Sequence, residues 1–377
     1  MKVLLVGEYS RLHNSLKEGL LSLGHEVTLI ATGDLFKKFP ADIPLHRKYD
    51  HGLARKWKII AFQLTGIDLT SVALRRQFRA KKEQLKGFDV VQLINENPLG
   101  VSVRVEREII SHLKKHNKKL FLLSCGTDHI SVKYALAEKF RYSIMTPYLE
   151  GKISKERFAS VLKYVTPKHK EFHEFVFKTV DGVIASDLDY HIPLEGHEKY
   201  LGLIPNPVNV DKLARQPMNI SEKTIIFHGI NRSVYLKKGS DYFDAALEII
   251  QKKYGDRIEV MTVENLPYQE YIEKYNRAHI LLDQVYAYDQ GYNALEAMAK
   301  GKVVFTGAEK EFMEQYELQH TVAINALPDV ADLVEKLEAL ILQPEMILDI
   351  GKNAREFVLK HHNYIKVAER YSTVWGV

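Results

Sequence analysis

Apolar residues fall into short solid runs, separated by stretches in which they recur every three or four positions. Lys2–Val6 is such a run, closed by Gly7, and reads as a buried strand. Leu12, Leu16, Leu20 and Leu21 mark one face of a helix ending near Gly24, and His25–Ala31 is the next strand. The rhythm continues through a strand at Phe88–Ile94 and a helix carried by Val105, Ile109 and Leu113. Strands at Lys119–Leu123, Val180–Ala185 and Lys199–Ile204 follow. Short apolar strands alternating with amphipathic helices predict a parallel sheet.

Two stretches interrupt the pattern. Arg47–Lys86 is rich in Lys and Arg, with Trp57, Ile59, Ile60 and Phe62 among them. Residues 130–178 are helical in pattern, with breaks at Pro147 and Pro167, and are too long for a simple connection. They predict a helical insertion. Leu203-Ile204-Pro205-Asn206-Pro207 marks a domain boundary, because two prolines in three residues break any element there. Beyond it the alternation restarts, with strands at Thr224–His228, Ile258–Val263, Ile280–Asp283 and Lys302–Phe305. Helices fall at Lys238–Lys252, Tyr268–Tyr275 and Asn293–Lys300. Thr321–Ile324 is strand-like, and the chain from Val330 onward reads as helices.

The expected fold is α/β: two Rossmann-like domains facing a central cleft that holds the ligand. Residues 1–204 form the first domain, with the insertion at 130–178, and 205–358 the second. Residues 359–377 are expected to form a helix that packs back on the first domain.

Composition narrows the function classes. The chain has 377 residues, 46% hydrophobic and 27% charged, as in an ordinary globular protein. The single cysteine, Cys125, excludes an intrachain disulfide framework and fits a reducing compartment. The opening strand lacks the charged leader and long apolar run of a signal peptide. No apolar stretch is long enough to cross a bilayer. A cytoplasmic location is expected. The net charge of +5 is too small to imply nucleic acid, and no zinc-finger spacing or aromatic RNA-binding signature accompanies it. The patch Arg55-Lys56-Trp57-Lys58-Ile59-Ile60, with Arg75, Arg76, Arg79, Lys81 and Lys82 downstream, suits either peripheral contact with an anionic membrane face or a solvated helix face.

The richest stretch for chemistry is Asp283–Val304. A strand ends at Asp283, a polar loop containing Asp289, Gly291 and Tyr292 follows, and a helix begins near Asn293. Such loops line the ligand crevice of open α/β sheets, and a helix N-terminus suits phosphate. Glu296, one turn in, can accept hydrogen bonds from ribose hydroxyls; Asn293-x-x-Glu296 also fits a capping box. In Phe227–Ser240, again between strand and helix, Gly229 and Asn231 accompany Arg232 and Lys238. These two cations can converge on one anion, or sit on a solvated basic loop.

The first strand ends in Gly7-Glu8-Tyr9-Ser10-Arg11-Leu12-His13, where a dinucleotide fingerprint would need three glycines and finds one. Gly7, Arg11 and His13 are instead candidates for the acceptor side of a site. Ser124–His129 closes another strand and directs Asp128 and His129 to the same edge. Cys125 fits a small buried residue better than a nucleophile. No Cys/His metal spacing, G-x-S-x-G or P-loop is present.

With those residues in view, the chain resembles the glycosyltransferases of the two-domain GT-B fold, specifically the retaining family 4 (group 1) type. The family's I-P-N-G-V-D segment resembles Ile204–Asn209, and its G-R-x-x-x-x-K-G element resembles Gly229–Gly239. Its E-x-F-G-x-x-x-x-E-A-M-A-x-G-x-P-V element resembles Tyr288–Val304. The resemblance implies a nucleotide-sugar donor, ribose binding by Glu296, and diphosphate binding by Arg232 and Lys238. It departs from the family at Tyr288, where an acid is expected and where Asp289 is the neighbouring substitute. Residues 130–178 do not map.

The expected activity is hexosyl transfer from a nucleotide diphosphate sugar to an acceptor hydroxyl of a glycan or a lipid-linked or polysaccharide precursor. Retention of anomeric configuration and no metal or other cofactor are expected. Asp128 or His129 would orient the acceptor. A nucleotide-sugar epimerase and a non-catalytic nucleotide-sugar-binding protein are the alternatives.

Overall fold

The computed structural model describes residues 1–33, 39–220, 222–264, 266 and 268–376. The chain forms two compact units. The first comprises Met1–Val132, Val161–Pro207 and Tyr364–Val377; the second comprises Lys133–Ser160 and Val208–Asn363.

The first unit carries β1 (Lys2–Val6), β2 (Glu26–Ala31), β3 (Ile43–Pro44), β4 (Val90–Leu93), β5 (Lys119–Ser124), β6 (Gly182–Ala185) and β7 (Tyr200–Leu203). They form a parallel sheet in the order β3-β2-β1-β4-β5-β6-β7. β4 and β6 are buried along their whole length, as strands of a parallel sheet covered by helices on both faces are.

The second unit carries β8 (Thr224–Ile230), β9 (Ile258–Glu264), β10 (Ile280–Leu282), β11 (Val303–Thr306) and β12 (Ile324–Asn325). They are also all parallel, in the order β12-β11-β10-β8-β9. Both units are Rossmann-like, as the alternation of strand and helix predicts.

The helix Tyr364–Trp375 belongs to the first unit. It lies so close to the helix Leu12–Ser22 that Gly19 sits against the Tyr364 carbonyl and Ala368, with no room for a Cβ. Trp375 is fully buried, and its Nε1 donates to Gln92 Oε1 at 3.1 Å. Lys119 Nζ caps the Trp375 carbonyl at 2.6 Å.

The stretch 130–178 differs from the sequence reading. It is helical, with helices at His129–Leu136, Thr146–Leu149, Lys155–Leu162 and Pro167–Thr179, but it does not stay in one unit. Lys133–Ser160 joins the second unit. The reason lies in its partners. The Arg141 N–H donates to Tyr288 Oη at 2.9 Å, Phe140 packs on the Tyr288 ring at 5.0 Å, and Lys152 Nζ donates to Tyr242 Oη at 3.0 Å.

The basic stretch resolves into two helices, Gly52–Thr65 and Leu69–Lys81. Asp68 caps the second, accepting from the Thr70 and Ser71 N–H groups at 3.1 and 3.3 Å. Among the described residues no helix is long and apolar enough to cross a membrane.

Candidate functional site

Ligands of open parallel sheets bind at the carboxyl ends of the strands, where the strand order reverses. In the second unit that point lies between β8, which continues to β9 on one side, and β10 on the other. The residues beyond those two strand ends are Asn231–Gly239 and Asp283–Gly291.

Asp283 organises this crevice. It follows β10 and is buried, and its Oδ1 accepts from Lys238 Nζ at 3.0 Å and from Asn293 Nδ2 at 3.1 Å. Thr306 Oγ1, at the end of β11, reaches Oδ2 at 3.4 Å. Asn293 also faces Tyr271, whose hydroxyl donates to Asn293 Oδ1 at 3.4 Å. Tyr271 in turn lies against Gly229, where a Cβ would stand 3.1 Å from the ring. Gly229, Tyr271, Asn293, Asp283 and Lys238 therefore form one connected set. The sequence singled out three of these residues and did not select Asp283 or Tyr271. An acid ending an apolar strand was the available signal for Asp283.

The turn that delivers Lys238 is forced by glycine. Leu236–Lys238 is a single 3₁₀ turn, and Gly239 (φ 69°) reverses the chain into the helix Ser240–Tyr254. A Cβ on Gly239 would lie 2.6 Å from Val285 Cβ. The Lys238 carbonyl accepts from the Val285 N–H at 2.8 Å, which ties this turn to the other loop of the crevice.

The helix after the second loop is Tyr292–Ala299, capped by Gly291 without a side-chain hydrogen bond. Asn293 thus lies inside the helix and spends its side chain on Asp283, so the capping-box alternative does not hold. Glu296 sits one turn in, half-buried. Asp289 is buried, and the neighbouring Gln290 Nε2 donates to the Gly307 carbonyl at 2.7 Å.

Arg232 stands apart from this set. Its Nε donates to Glu264 Oε2 at 2.9 Å and its Nη2 to Glu264 Oε1, and its guanidinium lies 4.8 Å over the Tyr235 ring. Asn231 shapes the turn, accepting from the Ser233 N–H at 3.0 Å and the Ser233 hydroxyl at 2.7 Å.

Tyr288, which stands where the resemblance expects an acid, is a packing residue. Beside the Arg141 N–H it accepts the Arg141 guanidinium over its ring at 4.8 Å. The same cluster holds a carboxylate the sequence reading missed. Buried Glu309 is paired with Arg141 at 2.5 Å, accepts from the Tyr142 hydroxyl, and accepts from Asn325 Nδ2 at 2.7 Å. Arg141 and Tyr142 lie more than 160 residues away in sequence, so no local pattern announces their pairing with it.

In the first unit the strand order reverses between β1 and β4. Gly7 (φ 89°) closes β1 under Pro98, whose carbonyl oxygen would meet a Cβ at 2.6 Å. His13 is fully buried, and its Nδ1 donates to the Gly7 carbonyl at 2.8 Å. Burial pushes its pKa down to about 4, so the ring is neutral at physiological pH. His13 therefore pins the turn and presents no surface to an acceptor, contrary to its assignment from the sequence. Arg11 adopts a left-handed backbone (φ 77°) and its Nη2 reaches Glu18 at 3.2 Å.

At the neighbouring strand ends, Asp128 accepts from the Ser131 N–H at 2.8 Å and from the Ser124 hydroxyl, as a residue capping the following helix does. His129 Nδ1 donates to the Tyr164 carbonyl at 2.8 Å, and its ring lies 4.8 Å from that of His173. His173 Nδ1 is 2.5 Å from Glu96 Oε1. Glu96 is buried and its carboxyl pKa is raised, first by desolvation; the contact with His173 opposes the rise. Glu96 and His173 were not selected from the sequence, although Asn95-Glu96-Asn97 is a polar run at the end of an apolar strand. Burial also pushes the Cys125 thiol up, with Asp187 adding to the effect, so it is no thiolate nucleophile.

Comparison with known proteins gives the same architecture. A family model described as glycosyl transferase-like matches residues 234–373. No curated protein matches the sequence. Among solved structures, the sucrose-phosphate synthase of Thermosynechococcus elongatus is 16% identical with a TM-score of 0.63, covering 100% of this chain and 98% of its own. HepE of Anabaena, in complex with UDP and glucose, is 11% identical with a TM-score of 0.59, covering 100% and 99%. A glycosyltransferase from Rickettsia africae is 14% identical with a TM-score of 0.52, covering 99% and 97%. At these identities the likeness establishes the fold, which is GT-B.

Proposed function

We propose that this chain transfers a hexosyl group from a nucleotide diphosphate sugar to an acceptor hydroxyl. The observation that carries the reading is the Lys238–Asp283–Asn293 set at the strand-order reversal of the second unit, beside a helix whose N-terminus has no side-chain cap. The glycosyl transferase-like match over 234–373 spans the same residues apart from Gly229–Ser233.

When the glycosidic bond breaks, negative charge grows on the departing diphosphate. Lys238 keeps donors beyond the one aimed at Asp283, so the carboxylate fixes the ammonium in place while leaving it able to bind an anion. The N–H groups at Gly291–Asn293 add a partial positive charge from the helix. Such preorganised charge is usually the largest single catalytic contribution. Arg232 joins by exchanging Glu264 for a phosphate, a small cost because exposed ion pairs are worth about 0–1 kcal/mol. Glu296 takes the ribose hydroxyls, Asp289 faces the sugar in place of the acid absent at Tyr288, and Gly229 admits the diphosphate close to the backbone.

The acceptor belongs to the first unit, where His129, held by the Tyr164 carbonyl and lying 4.8 Å from the His173 ring, orients the acceptor hydroxyl. Front-face attack assisted by the leaving phosphate retains the anomeric configuration, and the cations make a metal unnecessary for charge stabilisation.

The test is turnover of UDP-, GDP-, ADP- and dTDP-glucose with and without a mixed pool of glycan and lipid-linked acceptors. Nucleoside diphosphate released only when acceptor is present supports the reading. An epimerised sugar formed without acceptor, or no consumption of any donor, contradicts it.

A further inference from the structure

The helix Gly52–Thr65 contributes nothing to the core: none of its residues is buried. Leu53, Trp57, Ile60 and Leu64, spaced by four, three and four residues, form one stripe on it. They are 74%, 67%, 45% and 80% exposed. The helix is nevertheless held in place. Lys58 Nζ is 2.8 Å from Asp50 Oδ1, which also accepts from the Thr70 hydroxyl at 3.1 Å. An anchored helix that keeps its largest apolar residues in water needs a partner to cover them.

Charge selects the partner. Residues 51–82 hold eight Lys and Arg and a single carboxylate, Asp68, giving this segment +7 in a chain whose total is +5. Arg75 and Arg79 are taken by Glu108, at 2.5 and 2.7 Å, and Lys58 by Asp50. Arg55, Lys56 and Arg76 are exposed and make no ion pair with the described residues. A second copy of the chain would set one basic helix against another. An anionic bilayer offers phosphates for the cations and an apolar boundary for the stripe. Trp is suited to the headgroup level, where one side of its ring is apolar and its N–H is wet.

We propose that the helix Gly52–Thr65 seats the first unit on an anionic lipid surface. Leu53, Trp57, Ile60 and Leu64 enter the headgroup boundary, and Arg55, Lys56 and Arg76 lie on lipid phosphates. The inference is independent of the nucleotide-sugar reading.

The chain has two tryptophans, and Trp375 is fully buried, so a change of emission on binding reports Trp57. The experiment mixes the full chain with phosphatidylglycerol/phosphatidylcholine vesicles or with phosphatidylcholine alone, and reads the emission together with co-sedimentation. The expected result is a blue shift and pelleting with the anionic vesicles only, both weakened by salt. Arg55→Gln/Lys56→Gln lowers partitioning by roughly fivefold per cation removed. Leu53→Ser/Leu64→Ser abolishes the blue shift. All four sites are exposed, so these variants fold. No binding to anionic vesicles at low salt overturns the proposal, as does equal binding to both kinds of vesicle. A blue shift that grows with protein concentration without lipid would assign the face to a second copy. Binding to polyglutamate but not to vesicles would assign it to an acidic protein.

Discussion

At the scale of single residues, burial decides which titrating groups face chemistry and which hold structure. His13 donates to the Gly7 carbonyl while neutral, and burial lowers its pKa from about 6.5 to about 4. Below about pH 6.5 the unfolded chain takes up this proton while the folded chain refuses it, so stability rises with pH between those two values. The contribution lost on acidification is roughly 3 kcal/mol. His13→Asn keeps a donor near the position of Nδ1 and removes the titration. Denaturant unfolding of the variant should therefore lose less stability than the wild type between pH 6.5 and 4; parallel losses would show that the ring titrates normally. Lys238 is the opposite case, a cation left half-exposed on a buried carboxylate. Lys238→Ala is expected to lower kcat by roughly 10²–10³, whereas Arg232→Ala, which removes an exposed pair with Glu264, should cost distinctly less.

The local elements explain why some of the site could be read from sequence and some could not. Gly291 and Gly239 stand where strand, loop and helix follow one another, and that order is written locally in apolar runs and turn residues. The finer geometry is not. The helix begins at Tyr292, and Asn293, inside its first turn, gives its side chain to Asp283, a partner ten residues back that no local pattern specifies. Lys238 lies in a separate 3₁₀ turn rather than in the following helix because Gly239 takes a left-handed backbone. Gly239→Ala combines that backbone strain with a contact to Val285 that is too short, and is expected to destabilise the protein by about 2 kcal/mol or more. The melting temperature measures it. An unchanged value would mean that the turn does not need glycine.

Over the whole molecule, the alternation of apolar strands and amphipathic helices made two Rossmann-like units legible before any contact was known. Membership of segments in units was less so, because it depends on partners far away in sequence. Lys133–Ser160 goes to the second unit through Tyr288, Glu309 and Tyr242, and the buried Glu96–His173 pair spans 77 residues. The return of Tyr364–Trp375 to the first unit rests on Gly19 and on Trp375 in the core. Trp375→Ala is expected to cost about 3–5 kcal/mol, read as a lowered unfolding midpoint.

The central claim is that the second unit binds a nucleoside diphosphate through Lys238. It is tested most directly by thermal shift with UDP, GDP, ADP, dTDP and NAD, on the wild type and on Arg232→Ala/Lys238→Ala, each against its own ligand-free baseline. A ligand near 100 times its Kd stabilises the fold by about 2.7 kcal/mol. The account predicts a shift with one nucleoside diphosphate that the double variant loses. A shift with NAD alone, or one that survives in the double variant, would contradict it.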